Sequence, residues 1–222
     1  RLLNDLTATA NAIPVLPPED LHCINAGEVN KTGPIAVIAP GTGLGEAFLT
    51  HDGRGYKAHP SEGGHASFSP SNELELNLLR FLFERFDGHV STERVCSGSG
   101  IPNIYDYYRD VIGMGEPVEL AAQLASVKDR TPFIVNDALS DTPHPITWRT
   151  VTTFAGILAS ETAGLVLQFM ATGGVYLGGG IPPRILKFLD SAEFRQTFFN
   201  KGRFTEMMPQ IPVNIILNDE AA

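Results

Sequence analysis

Two short segments about twenty residues apart hold the residue types best suited to chemistry. Gly41-Thr42-Gly43-Leu44-Gly45 closes the apolar run Ile35-Ala36-Val37-Ile38-Ala39, and Glu62-Gly63-Gly64-His65 lies further along the chain. A strand that runs into three closely spaced glycines and a threonine offers backbone N–H groups to an anion, with the hydroxyl as a further donor. In the second segment a carboxylate and an imidazole are separated by two glycines, so no side chain crowds the space between them. Sugar hydroxyls both donate and accept, which suits these groups. Phosphate at one segment and a polyhydroxylated substrate at the other is the simplest chemistry that uses both.

Each segment also has a plainer reading. A glycine hairpin turn accounts for Gly41 to Gly43, and no Gly-Lys-Ser/Thr follows, so the loop is not of the Walker kind. A polar turn accounts for Glu62 and His65, although two adjacent glycines cost backbone entropy without an evident turn type. Asp5, following Leu2-Leu3-Asn4, reads from residue type as a helix N-cap, and Asn4 as a turn residue. Glu93 alone reads as a solvated surface residue. Gly178-Gly179-Gly180 reads either as tight strand–helix packing or as backbone left open to a flat ligand.

The elements that must position these residues follow from periodicity. Strands are expected at Leu21 to Ile24, Ile35 to Ala39, Val175 to Leu177 and Val213 to Leu217, with a hairpin formed by Glu46 to Thr50 and Tyr56 to Ala58 around Gly53. Helices are expected over Leu6 to Ile13, from Pro70-Ser71 to Phe86, over Pro102 to Ile112, Pro117 to Val127 and Ile146 to Ala171, after Pro182-Pro183, and over Glu193 to Phe199. Alternating strands and helices give an α/β chain.

Composition narrows the function classes. The chain has 222 residues, 43% of them hydrophobic, which is enough for a sizeable core. A net charge of -9 and a pI near 5.1 argue against a nucleic-acid partner, which needs clustered Lys and Arg. Cys23 and Cys96 belong to no CxxC pair, so they read as small buried apolar residues in a reducing cytoplasm. The uncharged stretch from Thr162 to Pro183 is long enough to cross a bilayer, but its glycines cut it into a buried helix, a turn and a buried strand; no membrane partner is expected. His22, His51, His59, His89 and His144 read as scattered surface or loop residues. Trp148, the Tyr105-Tyr107-Tyr108 cluster and the Met207-Met208 pair read as packing.

Taken in order and spacing, several segments resemble the bacterial glucokinase family of the hexokinase, actin and Hsp70 superfamily. They are Leu3-Asn4-Asp5-Leu6-Thr7-Ala8, the Gly41 to Gly45 loop, the Glu62 to Pro70 block, Glu93-Arg94-Val95 followed by Ser97-Gly98-Ser99-Gly100, and Gly178-Gly179-Gly180-Ile181. The resemblance implies a ribonuclease-H-like (actin-like ATPase) large lobe over residues 1–222, a mixed sheet flanked by helices. It also implies phosphorylation of glucose on its 6-hydroxyl, with ATP and Mg2+ as cofactors, in a cytoplasmic homodimer. Asp5 falls on the catalytic base. Asn4, Asp5, Glu62, His65 and Glu93 fall on the sugar contacts, Gly41, Thr42 and Gly43 on a phosphate loop, and Gly178, Gly179 and Gly180 beside the adenosine; no residue falls on a metal ligand. The family's Asp- and Gly-rich first phosphate loop does not occur in this chain, so the resemblance implies the large lobe alone and little turnover without the other lobe. A sugar-binding transcriptional regulator and a kinase for another hexose or an aminosugar are the alternatives. Regulators of this superfamily carry a cysteine-rich zinc motif after Glu-Gly-His, where this chain has Ser67-Phe68-Ser69-Pro70.

Overall fold

Ile35-Ala36-Val37-Ile38 is apolar at every position because both of its faces are covered. A computed structural model describes residues 5–218, with side chains from residue 6 onward. In it, β2 (Ile35–Pro40) lies inside a six-stranded mixed sheet with β1 (Leu21–Asn25), β3 (Leu44–His51), β4 (Tyr56–Ser61), β5 (Gly174–Leu177) and β6 (Val213–Ile216). The order is β1-β6-β5-β2-β3-β4. Strands β2, β5 and β6 run parallel, while β1, β3 and β4 are antiparallel to their neighbours. A strand buried on both sides loses the polar alternation of a half-exposed one.

One face of the sheet carries the larger core. There Ala36, Ile38, Leu44, Val175 and Leu177 meet the long helix α6 (Pro145–Phe169). Around α6 pack α2 (Glu73–Arg85), α3 (Ile101–Asp110), α4 (Val118–Ala125), α5 (Thr131–Leu139), α7 (Leu186–Leu189) and α8 (Ala192–Phe199). On the opposite face Ile35, Val37, Ala47 and Leu49 meet α1 (Asp5–Ala12) and Ile13. Helix α6 is the one described helix long and apolar enough to cross a membrane, but 61% of its apolar window is buried in the protein, as befits a core helix. The α/β architecture and mixed sheet expected from the sequence are present.

Several local expectations shift. The helix expected from Pro70-Ser71 starts at Glu73, because Asn72 accepts the Glu75 N–H at 3.0 Å and is the cap. Asp5 lies within α1 rather than before it, and is the first described residue, since position 4 lies outside the described residues. Helix α5 had no counterpart in the periodicity. Cys96 is buried, but Cys23 is exposed on the edge strand β1, so it is not the core residue expected. Tyr105, Tyr107 and Tyr108 are buried, whereas Trp148 is 37% exposed against Phe188. The histidines are tied locally: His22 to Asp190, His59 to Thr50 and His144 to Asp137.

A chain of contacts links the helical layer to the sheet edge. Asp106 of α3 is 3% exposed and accepts from Arg130 at 2.7 and 2.9 Å and from Arg85 at 2.9 Å. Burial pushes its carboxyl up, but the hydrogen bonds from Arg130 and Arg85 outweigh this and hold it below the usual carboxylate range. Arg130 thereby fixes the start of α5, where the Thr131 hydroxyl donates to the Gly98 carbonyl at 2.5 Å. Gly98 in turn donates its N–H to the Gly41 carbonyl at 2.7 Å. Asp106→Ala removes the anchor and strands a half-buried guanidinium. The urea midpoint at neutral pH is expected to fall by an amount equivalent to about 2–3 kcal/mol. Since the folded pKa of Asp106 is depressed, its contribution is present above the unfolded value and fades as pH falls through the folded one. The parent–variant gap should therefore narrow in acid.

Candidate active site

The carboxyl ends of β2, β4, β5 and β6 and the amino ends of β1 and β3 all lie along one edge of the sheet, as the pairing directions require. In open α/β sheets this edge is where ligands bind. A cleft of about 730 Å³ occupies it. From β6 towards β4 its floor runs through Ile216 and Asn218, Gly178 to Gly180, Gly41 and Gly43, and then Ser61, Glu62 and Glu93. Leu6 and Thr9 of α1 complete the wall.

Gly41-Thr42-Gly43 is the three-residue turn of the β2–β3 hairpin, so the plain reading of these glycines is correct, and Gly41 and Gly43, though not Thr42, also line the cleft. The Gly41 N–H closes the turn on the Gly43 carbonyl at 2.9 Å. Among the described residues the Thr42 and Gly43 N–H groups donate to nothing. A side chain at Gly43 would approach Glu93 Oε2 to 2.5 Å, whereas Gly41 faces open space. Gly45 lets the Leu6 side chain come within 3.0 Å of where its Cβ would stand, which seats the first turn of α1 beside the loop.

Glu62 and Glu93 are far apart in sequence and meet through backbone. Phe68 N–H donates to Val90 O at 2.8 Å, Thr92 N–H donates to Ala66 O at 2.9 Å, and Ser67 bridges Ser91. This lays the block after Glu62 along the block before Glu93. Glu93 sits in the 3-10 turn Thr92–Arg94, and its Oε2 accepts the Leu44 N–H at 2.9 Å. That bond fixes the carboxylate while leaving acceptor capacity for a ligand. His65 is not among the cleft-lining residues; its Nε2 stands 3.8 Å from Glu62 Oε2, and both side chains are well exposed. Asn4 lies outside the described residues, as does the side chain of Asp5, though Asp5 opens α1 directly before the cleft-lining Leu6.

The triple glycine continues β5. Gly178 donates to Ile38 O at 2.9 Å, prolonging the parallel pairing by one step. Gly179 has φ +78°, and a Cβ there would meet Pro40 O at 2.7 Å; Gly180 faces open space. Arg184, in the following turn Pro182–Ile185, also lines the cleft, and among the described residues it forms no ion pair. Nothing in the sequence singles it out, since one Arg shortly after a Pro pair has no distinguishing pattern. The cleft thus places carboxylates at its β3–β4 end and open glycine backbone with one guanidinium at its β5–β6 end.

The three glycines differ in what they tolerate. Gly179→Ala meets both a left-handed backbone and the Pro40 carbonyl, and should cost at least about 2 kcal/mol. Gly178→Ala makes only ordinary contacts, 3.6 Å to Ile216 and Thr9, and should change stability by less than about 1 kcal/mol. Thermal unfolding of the two variants checks the contrast.

Comparison with known proteins identifies the family. A family model described as Glucokinase matches residues 1–222. A glucokinase from Trichormus variabilis is 37% identical over 229 residues, covering 99% of this chain and 67% of that protein. The crystal structure of a glucokinase from an Antarctic psychrotroph aligns with a TM-score of 0.81 and 32% identity, over 99% of this chain and 64% of that one. A ROK family glucokinase from Streptomyces griseus, solved with glucose and AMPPNP, shares the fold at a TM-score of 0.60 and 18% identity, over 99% of this chain and 64% of that one. The chain spans about two thirds of the length of these relatives. With the family model matched from end to end, the chain belongs to the glucokinase family.

Proposed function

We propose that this chain supplies the sugar-binding and nucleotide-binding walls of an ATP-dependent kinase acting on the 6-hydroxyl of glucose. The observation that carries the reading is the convergence of Glu62 and Glu93 with the Gly41–Gly43 and Gly178–Gly180 backbone in one cleft at the sheet edge. The glucose and AMPPNP held by the Streptomyces griseus relative support the same pair of substrates.

The residues divide the work. Glu62, His65 and Glu93 accept and donate hydrogen bonds to sugar hydroxyls and so orient the ring. The Thr42 and Gly43 N–H groups, which have no partner among the described residues, are proposed to donate to phosphate oxygens. Gly179 and Gly180 let a flat base approach backbone, and the Arg184 guanidinium is suited to a polyphosphate. Bound ATP supplies the transferable phosphoryl group. Among the described residues no group of three or more His, Cys, Asp or Glu is placed to hold a metal. Mg2+ would be held through phosphate oxygens and water together with one or two carboxylates. Asp5, at the start of a helix whose next residues line the cleft, is the residue proposed to accept the proton of the attacking hydroxyl. The 222-residue chain alone is proposed to turn over slowly, because phosphoryl transfer relies on a closed, water-poor cleft.

Calorimetry with glucose and with AMPPNP tests the division. Glu62→Ala and Glu93→Ala should each weaken glucose by about 1.5–3 kcal/mol while sparing AMPPNP. Arg184→Ala should weaken AMPPNP and spare glucose. Parent-like affinities in all three variants would sink the reading. The base assignment has its own test, made in a form of the protein that turns over. Asp5→Asn should hold glucose affinity within a few-fold and lower kcat by on the order of 10²–10⁴; near-normal kcat would remove Asp5 from that role.

A further inference from the structure

Beneath the sugar-binding loop lies a carboxyl group that the reaction does not use. Glu46, in β3, is 2% exposed, and its Oε1 has no hydrogen-bond partner among the described residues. It shares the α6-facing side of β3 with Leu44 and Phe48, opposite Ile38 on β2 and Ser61 on β4. Its Oε2 occupies the space where a Cβ of residue 63 would stand. The φ of Gly63 is not positive, so the glycine is required there by the carboxyl rather than by the turn. Gly64 is likewise pressed onto the Leu44 carbonyl. The loop carrying Glu62 and His65 therefore rests on β3 through two glycines, one of them seated on Glu46.

We propose that Glu46 is a positioning residue: it holds the Glu62–His65 loop in its sugar-binding shape only while its carboxyl carries a proton, so that sugar affinity declines as the medium turns alkaline. The inference rests on the sugar-binding role assigned to Glu62 and His65. A buried carboxylate without a cation is costly, and among the described residues no cation acts on this one. From α6 it is faced by Glu161 and from the segment after Thr92–Arg94 by the Cys96 thiol; Glu62 and His65, on the loop above it, hold exposed side chains, and its strand neighbours Ile38 and Ser61 are uncharged. Lys201 acts on Glu161 and donates to Ser160 at 3.3 Å. Burial first, and then Glu161, push the Glu46 carboxyl up to about 7. Above that pH the buried charge must be hydrated, and the segment against Oε2, which must yield to admit water, is Gly63. If the ionised form binds no sugar, the competent fraction falls from about 0.9 near pH 6 to about 0.1 near pH 8, a loss of about tenfold in apparent affinity.

Glu46→Gln keeps the shape of the protonated side chain and removes the titration. Two measurements on parent and variant test the idea. One is the pH dependence of the Gly63 and Gly64 amide resonances; the other is glucose affinity by calorimetry near pH 6 and near pH 8. His65 is unchanged between the two proteins, so the difference between them isolates Glu46. The parent amides should show a transition near pH 7 that the variant lacks. Glucose should bind the two proteins equally near pH 6, and the parent about tenfold more weakly than the variant near pH 8. Identical amide titrations, or an affinity ratio that does not change with pH, would overturn the proposal. Should Glu46→Gln not fold, Glu46→Met serves as the second non-titrating variant under the same criteria. A parent-specific loop transition without glucose binding at any pH would support the hold of Glu46 on the loop and overturn the sugar reading. Glucose binding with no parent–variant difference would do the reverse.

Discussion

The parallel pairing of β2 with β5 is the constraint on which the cleft depends. Ile35 to Ile38 lie opposite Gly174 to Leu177, so β2 runs only two residues past the end of β5, and the segments leaving the two strands emerge at the same edge. One strand emits the Gly41–Gly43 turn and the other the Gly178–Gly180 segment. Parallel partners cannot be joined by a short turn. The chain between them, including the whole helical layer, is the crossover that permits the pairing. The helices are thus both core and connection, and α6 delivers the chain to β5 by ending at Met170, which adopts a left-handed conformation at φ 48°.

The second half of the site is assembled by a different device. Glu62 and Glu93 hang from irregular backbone, and the segments that bear them are tied by single hydrogen bonds rather than by a ladder. Small residues at 63, 64, 66 and 67 make that close approach feasible. Such a region draws its rigidity from its neighbours, namely β3 on one side and the turn anchored on Gly98 on the other. The Glu93–Leu44 bond serves both purposes, since it fixes a ligand-facing carboxylate and pins the first residue of β3.

The sheet was legible because β2, β5 and β6 are short apolar runs bounded by Gly and Pro, and because α6 is too long and apolar to be anything but a buried helix or a membrane span. Helix α5 was not, because Phe133 is exposed while Ile134, Val135 and Ala138 are buried, and that stripe is short and interrupted. The glycine turns and the Glu62 to His65 segment stood out by residue type. What could not be read was depth. Strand β3 is apolar on both faces, so parity offers no polar side from which to tell that Glu46 points inward. Arg184 likewise acquires meaning only from the glycines that fold beside it, and Cys23 is exposed because β1 is an edge strand, a fact of sheet order rather than of local sequence.

The exposure of the Glu62–His65 pair, 84% and 61% at the side chains, bears on how the two ends of the cleft respond to dissolved ions. Charges in open water are damped over a Debye length of about 8 Å at physiological ionic strength. A hexose carries no charge, so salt that weakens the attraction between Glu62 and His65 leaves the hydrogen bonds to hydroxyl groups largely intact. A nucleotide polyphosphate at Arg184 would be held partly by charge, and that local attraction weakens as the same salt is added. Ionic strength is therefore a physical variable that would separate the two occupants proposed for the cleft.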